Sequence, residues 1–529
     1  MERLDCHCNN YQWGKTGAES EVARLFAAGH PDFVIEKKPY SELWMGTHPD
    51  GPARVRSIGR KLSTHIATSE SSRKLSNNNR RDNVHLPFIM KVMSIDRTLS
   101  IQAHPTKEQA VRLHARDPVN YPDEHHKPEL AYALTQFELL CGFRPAKEML
   151  ENLEGPFVCP VFRFPFTGPL FPVMPRKHGS PKYRMHFAGV YASPEAFPPL
   201  RRLFGTGNCD KLRNLICAGF EQTHLKCRIA LAEMFKRMMD VDAEDLREML
   251  FELFELLGNG VRGALRDDTV TVIMKMARDF PGDVGIFAPL YLNHMVLAPG
   301  ECCYYAAEEL HAYLSGECVE CVGCSNNTIR AACTPKYIDR EALIDCLNYR
   351  MTPPEEYLVP AVALPAPHAH VDEYAPDCKD FQLHRIQIAA SASMDEPKPL
   401  PVLECASITV FVAGAGVIAE VDENDQEVKR QAVTRGDIIY IPPGRSVQVV
   451  SCSAALEAYR TFSYEDGPDH DSRTVVQKAP VIAPLPVKKM PIVQAPATTT
   501  LPTKVKFGLE QDEKRMPVMD MKVDMDGVC

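Results

Sequence analysis

Apolar and polar positions along the chain fall into two rhythms. Leu86-Pro87-Phe88-Ile89-Met90-Lys91-Val92-Met93 is a nearly unbroken apolar run of strand length. Leu99-Ser100-Ile101-Gln102-Ala103-His104 alternates with the period of two that a strand with one buried face requires. Leu246, Met249, Leu250, Leu253, Phe254 and Leu257 recur every three or four residues, on one face of an amphipathic helix that Gly258 and Gly260 stop. The stretch 229–239 has the same helical character. Strand-like patterns return over 284–333 and again over 380–462. In the latter, the runs 408–412, 432–433, 438–441 and 447–450 are short and separated by Gly, Pro and Asp turns, a spacing that predicts a sandwich or jelly roll.

Other stretches lack either rhythm. Residues 60–85 are dense in Ser, Asn, Arg and Lys and predict a solvated insertion. Pro156, Pro160, Pro165, Pro169, Pro172 and Pro175 recur among aromatics, a spacing that no helix survives and a central strand tolerates badly. An irregular insertion over 155–194 is expected. From Glu465 onward there are eight prolines in 65 residues, so 465–529 is expected to be a disordered tail. The fold class expected is mainly β with α. A β region over 1–150 continues at 281–345, a helical domain at 195–280 is inserted in it, and a second β region covers 346–464.

Composition narrows the function. The chain of 529 residues is 45% hydrophobic and 24% charged, as ordinary globular proteins are, with a net charge of −9. An acidic chain is a poor nucleic-acid binder, so no nucleic-acid partner is expected. No run reaches the ~18 apolar residues of a membrane helix, and the first residues lack the apolar core of a secretory signal. A cytoplasmic protein with no membrane partner is expected, its eighteen cysteines reduced and mostly buried.

Three segments carry candidate chemistry. Gln102 and His104, two apart on a predicted strand, leave the same face. His125-His126-Lys127-Pro128-Glu129 and Leu310-His311-Ala312-Tyr313-Leu314-Ser315-Gly316 add further donors. One Gln, two His and one Glu make a nitrogen and oxygen set that suits zinc with a position open to substrate. Cys318-x-x-Cys321-x-x-Cys324 has the look of a cluster motif, but it lies in a predicted strand region and is expected to be structural. P-loop, GxGxxG, HExxH and GxSxG motifs are absent from the sequence.

In order along the chain, Tyr11-Gln12-Trp13-Gly14-Lys15, the string 39–49 (Pro-Tyr-Ser-Glu-Leu-Trp-Met-Gly-Thr-His-Pro), Ser100-Ile101-Gln102-Ala103-His104-Pro105, His126-Lys127-Pro128-Glu129, His311-Ala312-Tyr313-Leu314-Ser315-Gly316 and Arg330-Ala331-Ala332-Cys333-Thr334-Pro335-Lys336 resemble the type I mannose-6-phosphate isomerases (phosphomannose isomerases) of the cupin superfamily. The resemblance is strong over 9–150 and 280–345 and looser over the helical domain and second β region. It implies two cupin-type jelly-roll β-barrels, the helical domain inserted in the first. Gly436–Gly444 resembles half of a cupin motif, but Arg445-Ser446 stands where its histidine is expected, so the second barrel is expected to be metal-free.

The resemblance further implies one zinc ion per chain, held by Gln102, His104, Glu129 and His311, and an essential Arg330. It implies interconversion of mannose 6-phosphate and fructose 6-phosphate through a cis-enediol, feeding GDP-mannose synthesis, by a monomer whose partner is a small sugar phosphate. Lys91, His126, Lys127 and Glu320 stay open as proton-transfer groups. The chain departs from the family at Glu308-Glu309-Leu310, where Asn-x-Pro is usual, and at Asn326, where Asp is usual. A catalytically impaired cupin protein that keeps the sugar-phosphate pocket as a sensor or scaffold is therefore the alternative. An iron-dependent cupin oxygenase is disfavoured, because the set lacks a His-rich triad.

Overall fold

A computed structural model describes residues 1–69, 84–155, 196–391 and 396–464. The insertion expected at 155–194 and the tail expected at 465–529 lie, but for Gly155, outside the described residues, as does most of the polar stretch 60–85. Two large antiparallel sheets dominate. The first runs in the order Leu292–Leu297, Phe137–Phe143, His311–Gly323, Phe88–Ile95, Glu42–Gly46, His7–Asn9, and the strands Ile101–Ala103, Glu129–Ala133, Cys302–Tyr305 and Ile329–Ala332 branch from that path. The second runs Val362–Ala363, Val371–Tyr374, Gln382–Ile388, Ser446–Phe462, Ser407–Val421, Ile438–Ile441, Glu2–Asp5, Arg54–Val55, Arg60–Lys61. The chain therefore begins in the sheet of its C-terminal region. Glu2 stands opposite Tyr440, and the buried Met1 ammonium pairs with Glu420 at 2.7 Å. The fold class is mainly β with a helical insertion, as the sequence predicts.

Two local differences from the sequence patterns have physical causes. The short runs expected in the second β region are parts of long strands, Ser407–Val421 and Ser446–Phe462, whose register shifts several times. One such break lies at Gly414, at φ +83, where a Cβ would run into the Ala455 carbonyl. The stretch from 284 opens as a 3₁₀ turn, Val284–Phe287, and a helical turn, Ala288–Tyr291, before its first strand. Asp283 caps that turn by accepting from the Gly285 amide at 2.7 Å, and Pro289 fits the start of the helical turn.

The helices Ala146–Glu154, Pro198–Phe204, Thr206–Cys217, Leu225–Met239, Ala243–Gly258 and Asp267–Asp279 form one core with the outer faces of three site strands. The helical stripe expected at 246–257 buries Met249, Leu250, Leu253 and Leu257. Each such Leu, removed from water, contributes about 1.5–3 kcal/mol. On those three strands Ile101, Ala103, Ala312, Leu314, Ile329 and Ala331 turn into this core, which also takes in Leu140, Phe143, Leu292 and Ala332. Side chains alternate along a strand, so Gln102, His311, Tyr313 and Arg330 face the other way, into the first β region. The same logic acts on the opposite wall. Leu43, Met90, Val92, Leu130, Val319 and Cys321 pack toward the second sheet. Glu42, Lys91, Glu129 and Glu320 are out of phase with them and point inward. No described helix is long and apolar enough to cross a membrane.

Candidate metal centre and active site

His104, Glu129 and His311 are all buried, and one donor atom from each lies within 4.8 Å of the others. His311 opens its strand opposite Gln102, and Gln102 lies opposite Arg330. Cross-strand partners share a face, so His311, Gln102 and Arg330 form a row. Arg330 is half-buried there. Gln102 Oε1 accepts from Ser100 Oγ at 2.9 Å.

The histidines are oriented by the backbone. His104 Nδ1 sits 2.7 Å from the Asn327 carbonyl and His311 Nδ1 sits 3.0 Å from the Glu309 carbonyl. A carbonyl only accepts, so each Nδ1 carries the hydrogen and each Nε2 presents a lone pair. Both Nε2 atoms are buried without a hydrogen bond. They stand 3.2 and 3.3 Å from the two oxygens of Glu129, contacts that lack hydrogen-bond geometry. Two lone pairs and a carboxylate close together, each imidazole anchored from behind, form a group that could hold a metal ion.

The anchors are held in turn. Asn327 Nδ2 donates to the carbonyls of Asp123 and His125, Ser325 Oγ donates to Asp123 Oδ1 at 2.7 Å, and the Asn326 amide donates to Asp123 Oδ2 at 2.8 Å. Glu308, at φ +71, donates its amide to the His104 carbonyl and accepts from Gln109 Nε2 at 2.9 Å. Gln109 belongs to the capping box that Thr106 builds on the helix Lys107–Arg116, directly after His104-Pro105.

Burial pushes the His104 imidazole down to about 4, against the pull of Glu129, so it is neutral at neutral pH. Burial raises the Glu129 carboxyl, but the positive charge around it, that of Lys127 included, outweighs burial and holds it well below the usual carboxylate range. Lys127 Nζ is 3.4 Å from Glu129 Oε1.

A second charged group lies deeper. Lys91 Nζ contacts Glu320 Oε2 at 2.9 Å and Glu42 Oε1 at 3.3 Å, and lies 5.1 Å from the Trp44 ring centroid. Trp44 Nε1 donates to Glu42 Oε2 at 2.9 Å, and the Tyr313 hydroxyl donates to Glu320 Oε1 at 2.9 Å. Lys91, Glu42 and Glu320 are 4%, 1% and 2% exposed. Burial raises the Glu320 carboxyl, and the nearby Lys91 opposes that rise.

Not every candidate turns toward the metal ligands. His126 Nε2 lies 2.7 Å from Asp380 Oδ1, just before the second-sheet strand Gln382–Ile388. The Asn326 side chain donates to Asp50 Oδ2 at 2.9 Å, so the position where the resemblance implies Asp holds an amide that satisfies a neighbouring carboxylate. Cys318 and Cys321 point to opposite faces of one strand, Cys318 into the first β region and Cys321 toward the second sheet, and burial raises both thiols. They cannot converge on one ion from there. The sequence patterns did not single out Glu42, Tyr305 or the hydroxyl of Tyr313. A glutamate inside the fully buried run Glu42–Gly46 was the one available signal.

The chain is similar to known proteins over most of its length. A family model described as the catalytic domain of phosphomannose isomerase type I matches residues 1–146, and one for that family's helical insertion domain matches 208–292. Mannose-6-phosphate isomerase of Homo sapiens is 33% identical over 453 residues, which cover 84% of this chain and 94% of that protein. Mannose-6-phosphate isomerase of Candida albicans is 29% identical over 474 residues, 87% of this chain and 98% of that one. The crystal structure of mannose 6-phosphate isomerase in its apo form from Salmonella typhimurium covers 88% of this chain and 99% of its own, with a TM-score of 0.63 and 22% identity, a likeness of fold.

Proposed function

The chain belongs to the type I phosphomannose isomerases, and from that premise we propose that it interconverts mannose 6-phosphate and fructose 6-phosphate with one zinc ion held by His104, Glu129, His311 and Gln102. The observation that carries the metal is the pair of buried Nε2 atoms, each with its lone pair turned to Glu129 and no hydrogen bond. When bound, zinc supplies a fixed positive charge for the oxyanion that forms as the proton leaves the sugar carbon.

The residues around the site do the rest. Arg330, in the row with Gln102 and His311, offers a charged fork to a sugar oxygen or the phosphate. Of the proton-transfer candidates, His126 is engaged by Asp380 and Lys127 by Glu129. Lys91 Nζ lies 2.9 Å from Glu320 Oε2, and burial raises the Glu320 carboxyl, so this pair is the proton-transfer group we favour. A proton that such a pair takes from C2 and returns to C1 on the same face passes through a cis-enediol. Run toward mannose 6-phosphate, the reaction supplies the precursor of GDP-mannose. The working form is a cytoplasmic monomer acting on small sugar phosphates, with no nucleic-acid or membrane partner.

The test is formation of fructose 6-phosphate from mannose 6-phosphate by the purified chain, run in parallel in ²H₂O. Turnover with solvent deuterium at C1 of the product is expected. No turnover overturns the activity; deuterium at C1 excludes a direct hydride shift, whereas its absence shows only that the buried pair returns the proton before it exchanges with solvent.

A further inference from the structure

Tyr305 ends the strand Cys302–Tyr305 and has no part in the mechanism above, yet it touches both halves of the site. Its cross-strand partner is Glu129. Its ring stacks on His311, with centroids 4.2 Å apart and planes 24° apart. Its hydroxyl donates to the Tyr313 hydroxyl, which donates to Glu320 Oε1 at 2.9 Å, and Glu320 holds Lys91. Tyr305 is 1% exposed and Tyr313 4%.

We propose that Tyr305 is a positioning residue that couples the metal ligands to the proton-transfer pair: its ring fixes the plane of His311, and its hydroxyl, through Tyr313, fixes the direction of the Glu320 carboxylate. This rests on the metal-dependent isomerase function proposed above. The two tasks fall on different atoms. His311 has a single backbone anchor, on Nδ1, and the tilted His104 ring 5.1 Å away, which together leave its plane some freedom to turn about that bond. A flat ring packed on its face removes that freedom. Glu320 has two oxygens and two partners, the Lys91 ammonium on one and the Tyr313 hydroxyl on the other, so its plane is set only if Tyr313 stays in place. The ring of Tyr313 already lies edge-on to Phe137, at 5.1 Å. The Tyr305 hydroxyl is the remaining polar contact that holds its oxygen, and hydrogen bonds in such a chain strengthen one another.

Two substitutions in the full chain separate the tasks. Tyr305→Phe keeps the ring and deletes the hydroxyl. It is expected to hold zinc as the parent does, measured by chelator competition, and to keep the parent Michaelis constant. Its kcat is expected to fall about three- to tenfold, the scale of one lost buried hydrogen bond. Tyr305→Met fills the space flexibly but cannot stack. It is expected to bind zinc on the order of 10- to 100-fold more weakly, the range for losing a group that orients a ligand. Zinc affinity kept by phenylalanine and lost by methionine, at matched urea midpoints of the two metal-free variants, separates the ring's role from general destabilisation. A Tyr305→Phe variant with parent kcat overturns the hydroxyl's role, and decides it whether or not Tyr305→Met folds. Parent zinc affinity in Tyr305→Met overturns the ring's role. A parent chain that neither retains zinc nor turns over removes the premise, and the inference falls with it.

Discussion

Replacing Lys91 with methionine removes one buried charge and strands two others. Lys91 Nζ lies 2.9 Å from Glu320 and 3.3 Å from Glu42. At an effective dielectric of about 20, those separations correspond to attractions of roughly 6 and 5 kcal/mol. Each ion gives up several kcal/mol of hydration to be buried, so the intact group is close to balanced against apolar packing. Without the ammonium, Glu42 keeps the Trp44 indole and Glu320 keeps the Tyr313 hydroxyl, and neither donor is charged. Removing one partner of a buried ion pair costs about 3–5 kcal/mol, and that is the loss expected for Lys91→Met.

Urea unfolding followed by tryptophan fluorescence suits this measurement, because the chain has two tryptophans and Trp44 packs on Lys91. Lys91→Met combined with Glu320→Gln should recover part of the loss, since one of the stranded charges is gone. The pH dependence has a definite sign. Burial already raises Glu320 and Lys91 opposes it, so losing Lys91 raises the carboxyl further. A carboxyl raised in the folded state favours folding at low pH, so the penalty should be small below the ordinary glutamate range and grow as pH rises above it. A Lys91→Met protein within about 1 kcal/mol of the parent at neutral pH would refute the buried-ion argument.

Three further outcomes are expected. Arg330→Lys should lower kcat by on the order of 10²–10³ with little change in the Michaelis constant if the guanidinium meets the developing oxyanion, whereas a raised Michaelis constant at constant kcat would assign it to the phosphate. Chelator-treated protein should lose melting temperature as pH falls from about 6.5 toward 4, because the unfolded His104 takes up a proton that the folded imidazole, held near 4, refuses; a flat or rising melting temperature over that window would contradict the burial of a neutral His104. Deleting residues after 465 should leave turnover and melting temperature nearly unchanged, since that Pro-rich composition cannot bury a core, and a large loss would show that the segment packs.

Much of the local pattern was legible in the sequence. The alternation through Ile101-Gln102-Ala103 already separated the face that packs on helices from the face that bears Gln102, and the Leu246–Leu257 stripe located a helix and its buried side. What spacing alone did not contain was the meeting of distant strands. His311 and Glu129 are 182 residues apart, and only the fold carries one to the other. The motif strings bridged that gap by resemblance. Register escaped both. Lys91 faces Glu320 because Phe88–Ile95 pairs with His311–Gly323 in one alignment, and a slip of one residue by either strand would turn its member of the pair out of the interior. Tyr305 gave no local sign, since its role is a cross-strand one in a run, Cys302-Cys303-Tyr304-Tyr305, that reads as plain core. The Asn326 side chain finds its partner, Asp50, 276 residues away.

The central claim is that a metal held by His104, Glu129 and His311 supports isomerisation, and a zinc titration tests it most directly. Metal-free protein is prepared with a chelator, zinc is added back in measured portions, and conversion of mannose 6-phosphate is followed at each addition. The account predicts no turnover without metal, activity that climbs to a plateau at one zinc per chain, and no recovery in His311→Ala. Full turnover by the metal-free chain, or by His311→Ala, would contradict it.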